Sequence, residues 1–125
     1  MPPPPAGMSG IVADLLVDTD VFIDHLRGAH MLEPRDHRVH YSVITRAELF
    51  AGSAATDGAN ILLGAFRELG VSRLIAERAG EVRRETGVRL PDALIAATAI
   101  EEGLALVTRN RKDFARIRGL RLHTP

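Results

Sequence analysis

The side chains best equipped for chemistry in this sequence are carboxylates that follow short apolar runs. Asp18 and Asp20 come directly after Leu15-Leu16-Val17, and Glu48 comes shortly after the run Val39 to Val43. Asp113 lies in the polar stretch after Leu104 to Thr108, and Asp92 opens the apolar stretch that precedes that run. If the runs are strands of one parallel sheet, ligands bind outside their carboxyl ends, which is where these acids would gather. Acidic oxygens collected at one edge suit a hard divalent cation such as Mg²⁺ or Mn²⁺. Crowded carboxylates also repel one another. A cation relieves that repulsion, activates water and stabilises charge on a phosphoryl group.

Each acid also has a plainer use. Asp92 follows Pro91 in what reads as a helix's first turn, where any carboxylate gains about 0.3–1 kcal/mol from the helix dipole. Glu48 completes a capping box with Thr45, and Asp20 is placed to cap a helix starting at Val21. Asp113 reads equally well as a solvated helix residue. Asp18 is different, because a carboxylate directly after a buried strand has no routine structural task.

The elements that must position these residues alternate between strand and helix. Strands are expected at Leu15 to Val17, Val39 to Val43, Leu104 to Thr108 and Leu120 to Leu122. A short helix runs from Val21 to Leu26 and stops at Gly28. Thr45 caps a second helix. Asp57 caps a third that carries Ile61, Leu62, Ala65, Phe66 and Leu69 on one side and closes at Gly70. Leu74 to Thr86 forms a helix with Ile75, Ala79 and Val82 on its apolar face and Gly87 at its end. Pro91 sits at a first helical position, and Ala93 to Ile100 is apolar nearly all round, so that helix should be buried. Arg111 to Ile117 makes a last short helix. This alternation implies an α/β domain with a parallel sheet covered on both faces.

Length and composition narrow the function classes. The 125 residues fit one domain, expected at 11–125, with 1–10 a Pro/Gly-punctuated flexible extension that lacks the features of a secretion signal. Sixteen basic residues balance sixteen acidic ones, which excludes polybasic binding by net charge. With no cysteine there can be no disulfide, thiolate nucleophile or cysteine-ligated metal. No apolar run approaches the roughly 20 residues of a membrane span, so a cytoplasmic location is expected. The five histidines read as surface residues. A basic bias does occur near the C-terminus, where Arg109, Arg111, Lys112, Arg116, Arg118 and Arg121 face only Asp113. Beside an acidic metal edge, these suggest contacts to phosphates.

Three strings carry a family resemblance. LLVDTDVFIDHLRG, YSVITRAELFAG and RLPDALIAATAIEEGLALVTRNRKDFARI, in that order, resemble the PIN-domain ribonuclease toxins of bacterial VapBC modules, from about Leu15 to Leu122. The resemblance implies a three-layer α/β/α sandwich on a parallel sheet. It also implies RNA cleavage dependent on Mg²⁺ or Mn²⁺ and neutralisation by a cognate VapB-type antitoxin. Asp18, Glu48 and Asp92 match the family's first three acidic positions. Asp113 is the preferred fourth, with Asn110 as polar support. Asp20 stands where many relatives carry Asn and is a further candidate for the metal shell. Thr19 and Thr108 are supporting residues. By the same resemblance, Asp18 and Asp92 hold the metal most directly, while Glu48 and Asp113 complete the shell or orient the attacking water. Arg109, Arg111 and Lys112 would then contact flanking phosphates. The resemblance further implies products with a 3′-hydroxyl and a 5′-phosphate and a homodimeric protein; transfer, ribosomal and messenger RNA would all suit as substrate. Exposed apolar positions between Asp57 and Thr86 are candidates for its protein contacts.

Two other readings compete. Asp18-Thr19-Asp20 also resembles the DxD opening of aspartate-nucleophile phosphohydrolases, although Phe22 stands where that family has Thr or Val. A non-catalytic PIN-like module that binds RNA or protein is the other, against which stand the four intact acids.

Overall fold

Three consecutive apolar residues in a strand point alternately to the two faces of a sheet, so a strand of this kind needs cover on both sides. Leu15-Leu16-Val17 receives that cover. The structure, a computed structural model, describes residues 13–29, 32, 37–52 and 56–123. It places β1 (Asp14–Val17) at the centre of a five-stranded sheet. Next along the chain come α1 (Thr19–Leu26), β2 (Arg38–Ser42), α2 (Val43–Ala51), α3 (Thr56–Leu63) and β3 (Arg67–Leu69). They are followed by α4 (Arg73–Thr86), α5 (Leu90–Glu102), β4 (Ala105–Val107), α6 (Arg111–Phe114) and β5 (Leu122–His123). The strand order is β3-β2-β1-β4-β5, and every pairing is parallel. The expected extension at 1–10 lies outside the described residues.

The two faces of β1 lead into two separate cores. Leu16 packs with Ile75, Ala79 and Val82 of α4, the alanines of α5, Leu106 of β4 and Phe114 of α6. Leu15 and Val17 pack on the other side with Val21 and Phe22 of α1, Leu49 of α2, and Ala59 and Leu63 of α3. The result is helix–sheet–helix layering. Helix α4 buries the expected stripe Ile75, Ala79 and Val82 and ends at Gly87, whose φ of 76° is the left-handed turn that glycine adopts at least cost. Helix α5 begins with a proline in its first turn and buries Ala93 and everything from Ile95 to Ala99. It is as enclosed as its all-round apolar sequence requires.

Several expected boundaries fall elsewhere, and α1 begins at Thr19 with Asp18 as its cap, so Asp20 lies in the first turn instead of capping the helix. Thr45 does not cap α2. Ser42 does, its Oγ accepting from the Ile44 backbone N–H, so the helix starts at Val43 and Thr45 is buried within its first turn. The capping box is therefore absent, and Glu48 has no capping partner to serve. The expected long helix after Asp57 ends at Leu63, and Arg67–Leu69 becomes edge strand β3. β3 satisfies the free edge of β2 through the register His40↔Arg67, Tyr41↔Glu68 and Ser42↔Leu69. Glu68 then anchors it, accepting from Arg46 Nε at 2.6 Å and from the Tyr41 hydroxyl at 3.1 Å. An edge strand with only one half-buried side chain carries no apolar run for a sequence to reveal. Ile61, expected on an apolar face, is 77% exposed. Helix α6 is also shorter than expected, and β5 begins two residues late.

Leu16, fully buried in the central strand, and Ile61 are a matched pair of tests. Leu16→Ala should cost about 2–5 kcal/mol, and Ile61→Ala should stay within about 0.5 kcal/mol of the parent. Denaturant unfolding with a shared m-value measures both.

Candidate active site

In an all-parallel sheet the carboxyl ends of the strands share one edge, and the polar residues that follow them meet there. Asp18 follows β1, and its backbone N–H donates to the Val107 carbonyl at 2.9 Å, so the junction is locked to the end of β4. The residue is extended (φ −73°, ψ 158°) and caps α1, with Oδ1 accepting from the Thr19 N–H at 2.8 Å. Oδ2 accepts from Thr108 Oγ1 at 2.8 Å, and Thr108, the first residue after β4, is itself fully buried. The Asp18 residue is only 4% exposed. Burial first, then the nearby Asp20 charge, push its carboxyl up to about 7, against the pull of the two hydrogen bonds.

The other acids arrive from three further segments, each with a polar holder. Thr19 Oγ1 donates to Glu48 Oε1 at 2.7 Å and stands 3.0 Å from the buried Thr45 hydroxyl, so α1 positions an acid of α2. Asp92, in the first turn of α5, also has its carboxyl raised, chiefly by burial, and Arg89 counteracts the effect. Arg89 spans two of these acids, with Nη2 3.7 Å from Glu48 Oε2 and Nε 3.9 Å from Asp92 Oδ2. Asn110 Nδ2 donates to Asp113 Oδ2 at 3.0 Å, while the Asn110 N–H donates to Thr108 Oγ1. Asp113 and Asn110 thus act together at the edge. Asp20 accepts from the Arg109 backbone N–H at 3.2 Å, and one turn on, Asp24 accepts from Arg109 Nη1 at 2.6 Å. Burial is the main reason the Asp20 carboxyl is also raised.

These side chains surround a cleft of about 460 Å³. Its lining includes Asp18, Asp20, Glu48, Asp92 and Asp113 and the arginines Arg89 and Arg116. All five candidate acids are therefore brought together, along with Thr19 and Asn110. Arg109, Arg111 and Lys112 do not line the cleft: Arg109 is committed to Asp24, and the other two are exposed on α6. Sequence reasoning missed Arg89 and the Thr45 contact, and placed Arg116 only within the basic C-terminal run. Arg89 did leave a signal, since it stands three residues before Asp92, where a helical turn brings side chains together. The histidines are half-buried where described and outside the cleft. His25 and His37 accept backbone N–H groups from Leu32 and Ala13.

The donor set bears on a cation in two ways. As the side chains stand, no three described Asp, Glu or His groups are close enough to hold one ion. Their chemistry nevertheless fits a hard divalent cation. All are oxygen donors, and burial first, then the charges of neighbouring acids, raise the carboxyls of Asp18 and Asp92; a dication would offset both.

Comparison with known proteins follows the same lines. The family model described as PIN domain matches residues 15–120. A ribonuclease, VapC10 of Mycobacterium tuberculosis, is 36% identical, the match covering 77% of this chain and 82% of the relative. A toxin–antitoxin complex from Klebsiella pneumoniae contains a chain of 37% identity and TM-score 0.74, with 86% of this chain and 95% of that one covered. VapBC2 from Rickettsia felis, solved bound to a DNA fragment from its promoter, gives 25% identity and TM-score 0.78 over 90% of this chain and 98% of the other.

A folded-state carboxyl raised above its unfolded value keeps a proton that the unfolded chain has released. With Asp18 at about 7 against 3.8, metal-free stability should fall as pH rises from about 4 to about 7 and level off above that. Asp20 and Asp92 act in the same direction. Thermal melts in EDTA across pH 4–8 should show that fall, and Asp18→Asn should flatten much of it. A wild-type profile that rises over this window would contradict the assignment.

Proposed function

The chain belongs to the PIN-domain family, and within it to the VapC ribonucleases; on that basis we propose that it is the toxin of a VapBC-type pair, an endoribonuclease that hydrolyses RNA phosphodiester bonds with the help of Mg²⁺ or Mn²⁺. The observation that supports this most strongly is the convergence of five carboxylates on one cleft, with the most buried of them pushed up to about 7.

Asp18 and Asp92 would hold the cation, with Asp20, Glu48 and Asp113 available to complete its shell. When bound, it would place positive charge against the scissile phosphate and acidify a water at the site. The chain's own residues do the positioning. Thr108 and the Thr19 N–H fix both oxygens of Asp18. Thr19 Oγ1 orients Glu48, and Asn110 orients Asp113, so that these two acids can aim the attacking water. Asp20 holds the Arg109 backbone and with it the loop that carries Asn110. In the hydrolysis, water oxygen bonds to phosphorus and the bond to O3′ breaks. O3′ takes up a proton, leaving a 3′-hydroxyl and a 5′-phosphate.

Arg111 and Lys112, exposed beside the cleft, are our choice for flanking phosphates. Arg109 could join them only by giving up Asp24. A VapB-type antitoxin is the partner that the related complexes support, with transfer, ribosomal or messenger RNA as substrate. Exposed Leu74 on α4 is our candidate for contacts between two copies. No described helix is long and apolar enough to cross a membrane, and we place the activity in the cytoplasm. We read 11–125 as one PIN domain preceded by the extension 1–10.

Purified protein incubated with total cellular RNA should yield discrete fragments with Mg²⁺ or Mn²⁺ and none with EDTA. Asp18→Asn should lower the rate by about 100-fold or more, as expected for loss of a charged group at the reacting centre. Fragment ends determined by sequencing should carry 5′-phosphates. Cleavage that survives in EDTA or in the variant would overturn the mechanism.

A further inference from the structure

Two arginines line the acidic cleft, and their guanidiniums are held differently. Arg116 donates to the Thr86 carbonyl at the end of α4, which fastens it to the scaffold. Arg89 lies at ion-pair rather than hydrogen-bond distance from Glu48 and Asp92, 3.7 and 3.9 Å away. Its side chain is 73% exposed, while those of the two acids are 27% and 20% exposed. The backbone beneath it belongs to a helix start. Arg89 is the extended N-cap of α5, with no side-chain cap hydrogen bond, just ahead of Leu90 and Pro91. A fixed base therefore carries a long, solvated arm whose cationic end rests on two carboxylates from different helices. Exposed ion pairs of this geometry are weak and easily exchanged.

We infer that Arg89 serves the cleft in two ways: as a resident counter-ion for Glu48 and Asp92 before a cation binds, and as the ligand of an RNA phosphate once a cation has taken those acids. This rests on the ribonuclease reading and adds a substrate-binding residue to it. A divalent cation held by these carboxylates repels a guanidinium a few ångströms away and outcompetes its weak, exposed ion pairs, so the cation displaces the arm. The displaced arm stays at the mouth of the cleft, because its Cα is fixed at the start of α5. There the planar guanidinium presents the paired N–H groups that match phosphate oxygens, a fit that a lysine ammonium lacks. Arg116, tied to Thr86, is less able to make the same exchange.

The test uses wild type, Arg89→Gln and Arg89→Lys at pH 8, where proton competition is small. Calorimetric titration with Mn²⁺ in the absence of RNA should show Arg89→Gln binding Mn²⁺ about two- to five-fold more tightly than wild type, since a weak exposed competitor has been removed. Cleavage kinetics at saturating Mn²⁺ should show KM for RNA raised about five-fold or more in Arg89→Gln, with kcat changed much less. Arg89→Lys should keep Mn²⁺ affinity near wild type and recover only part of KM. A residue that merely braced the fold would weaken both metal and RNA binding, so the opposed signs are diagnostic. Mn²⁺ affinity that stays level or falls in Arg89→Gln, or a KM that does not move, would overturn the proposal. Wild-type protein that binds Mn²⁺ yet cuts no RNA would instead sink the ribonuclease reading, and the Mn²⁺ titration would still decide whether Arg89 competes for the acids.

Discussion

A carboxylate that is 4% exposed at the junction of two parallel strands is hard to ionise, and the architecture of the cleft follows from how Asp18 is held there. Its backbone extends the β1–β4 ladder by one hydrogen bond, to Val107, so its position is tied to the centre of the sheet. Its two oxygens are occupied from two sides, by the start of α1 and by Thr108 at the end of β4. Those bonds favour the charged form, while burial and the Asp20 charge oppose it more strongly. The balance leaves an acid near neutrality that takes a proton or a cation readily. That suits a site that must gather positive charge on demand.

Around Asp18 the remaining acids are placed by contacts between elements more than by contacts within them. Thr19 reaches from α1 to Glu48 on α2, Asp20 and Asp24 reach from α1 to Arg109 after β4, and Arg89 reaches back from α5 to α2. α1 is therefore the organiser of the edge: four of its own or capping residues (Asp18, Thr19, Asp20 and Asp24) hold groups from other segments. Asp18 and Asp92 also sit at helix N-termini, where the dipoles of α1 and α5 partly offset the concentration of negative charge. The plain uses of these acids as caps and first-turn residues are thus compatible with chemistry, because a helix start at a strand end both favours a carboxylate and presents it to the cleft.

Much of this fold could be read from the sequence where burial is strong and periodic. The Leu15-Leu16-Val17 strand, the Ile75, Ala79 and Val82 stripe and the enclosed α5 all stand where the apolar pattern puts them. The errors fall where no such pattern exists. β3 exists because β2 has a free edge, which the local sequence Arg67-Glu68-Leu69 does not signal. Thr45 matched a capping box, but Ser42, three residues earlier, could cap as well, and the end of β2 decided between them. Arg109 looked like one more member of a basic run until α1 placed Asp20 and Asp24 against it.

The sequence by itself determined which acids exist, that each follows or opens an element, and that the strands between them are apolar enough to form a doubly covered parallel sheet. These are local properties, written in residue type and in periods of two and 3.6. Only the tertiary structure decided which acid is most deeply buried, which threonine or asparagine holds each one, and which arginine faces the cleft. The Asp18–Thr108 hydrogen bond joins residues 90 apart in the chain, and Thr19–Glu48 joins residues 29 apart. Contacts of that range depend on how strands register and helices pack, and so do the desolvation and charge crowding that set the chemistry of Asp18. No local pattern carries that information.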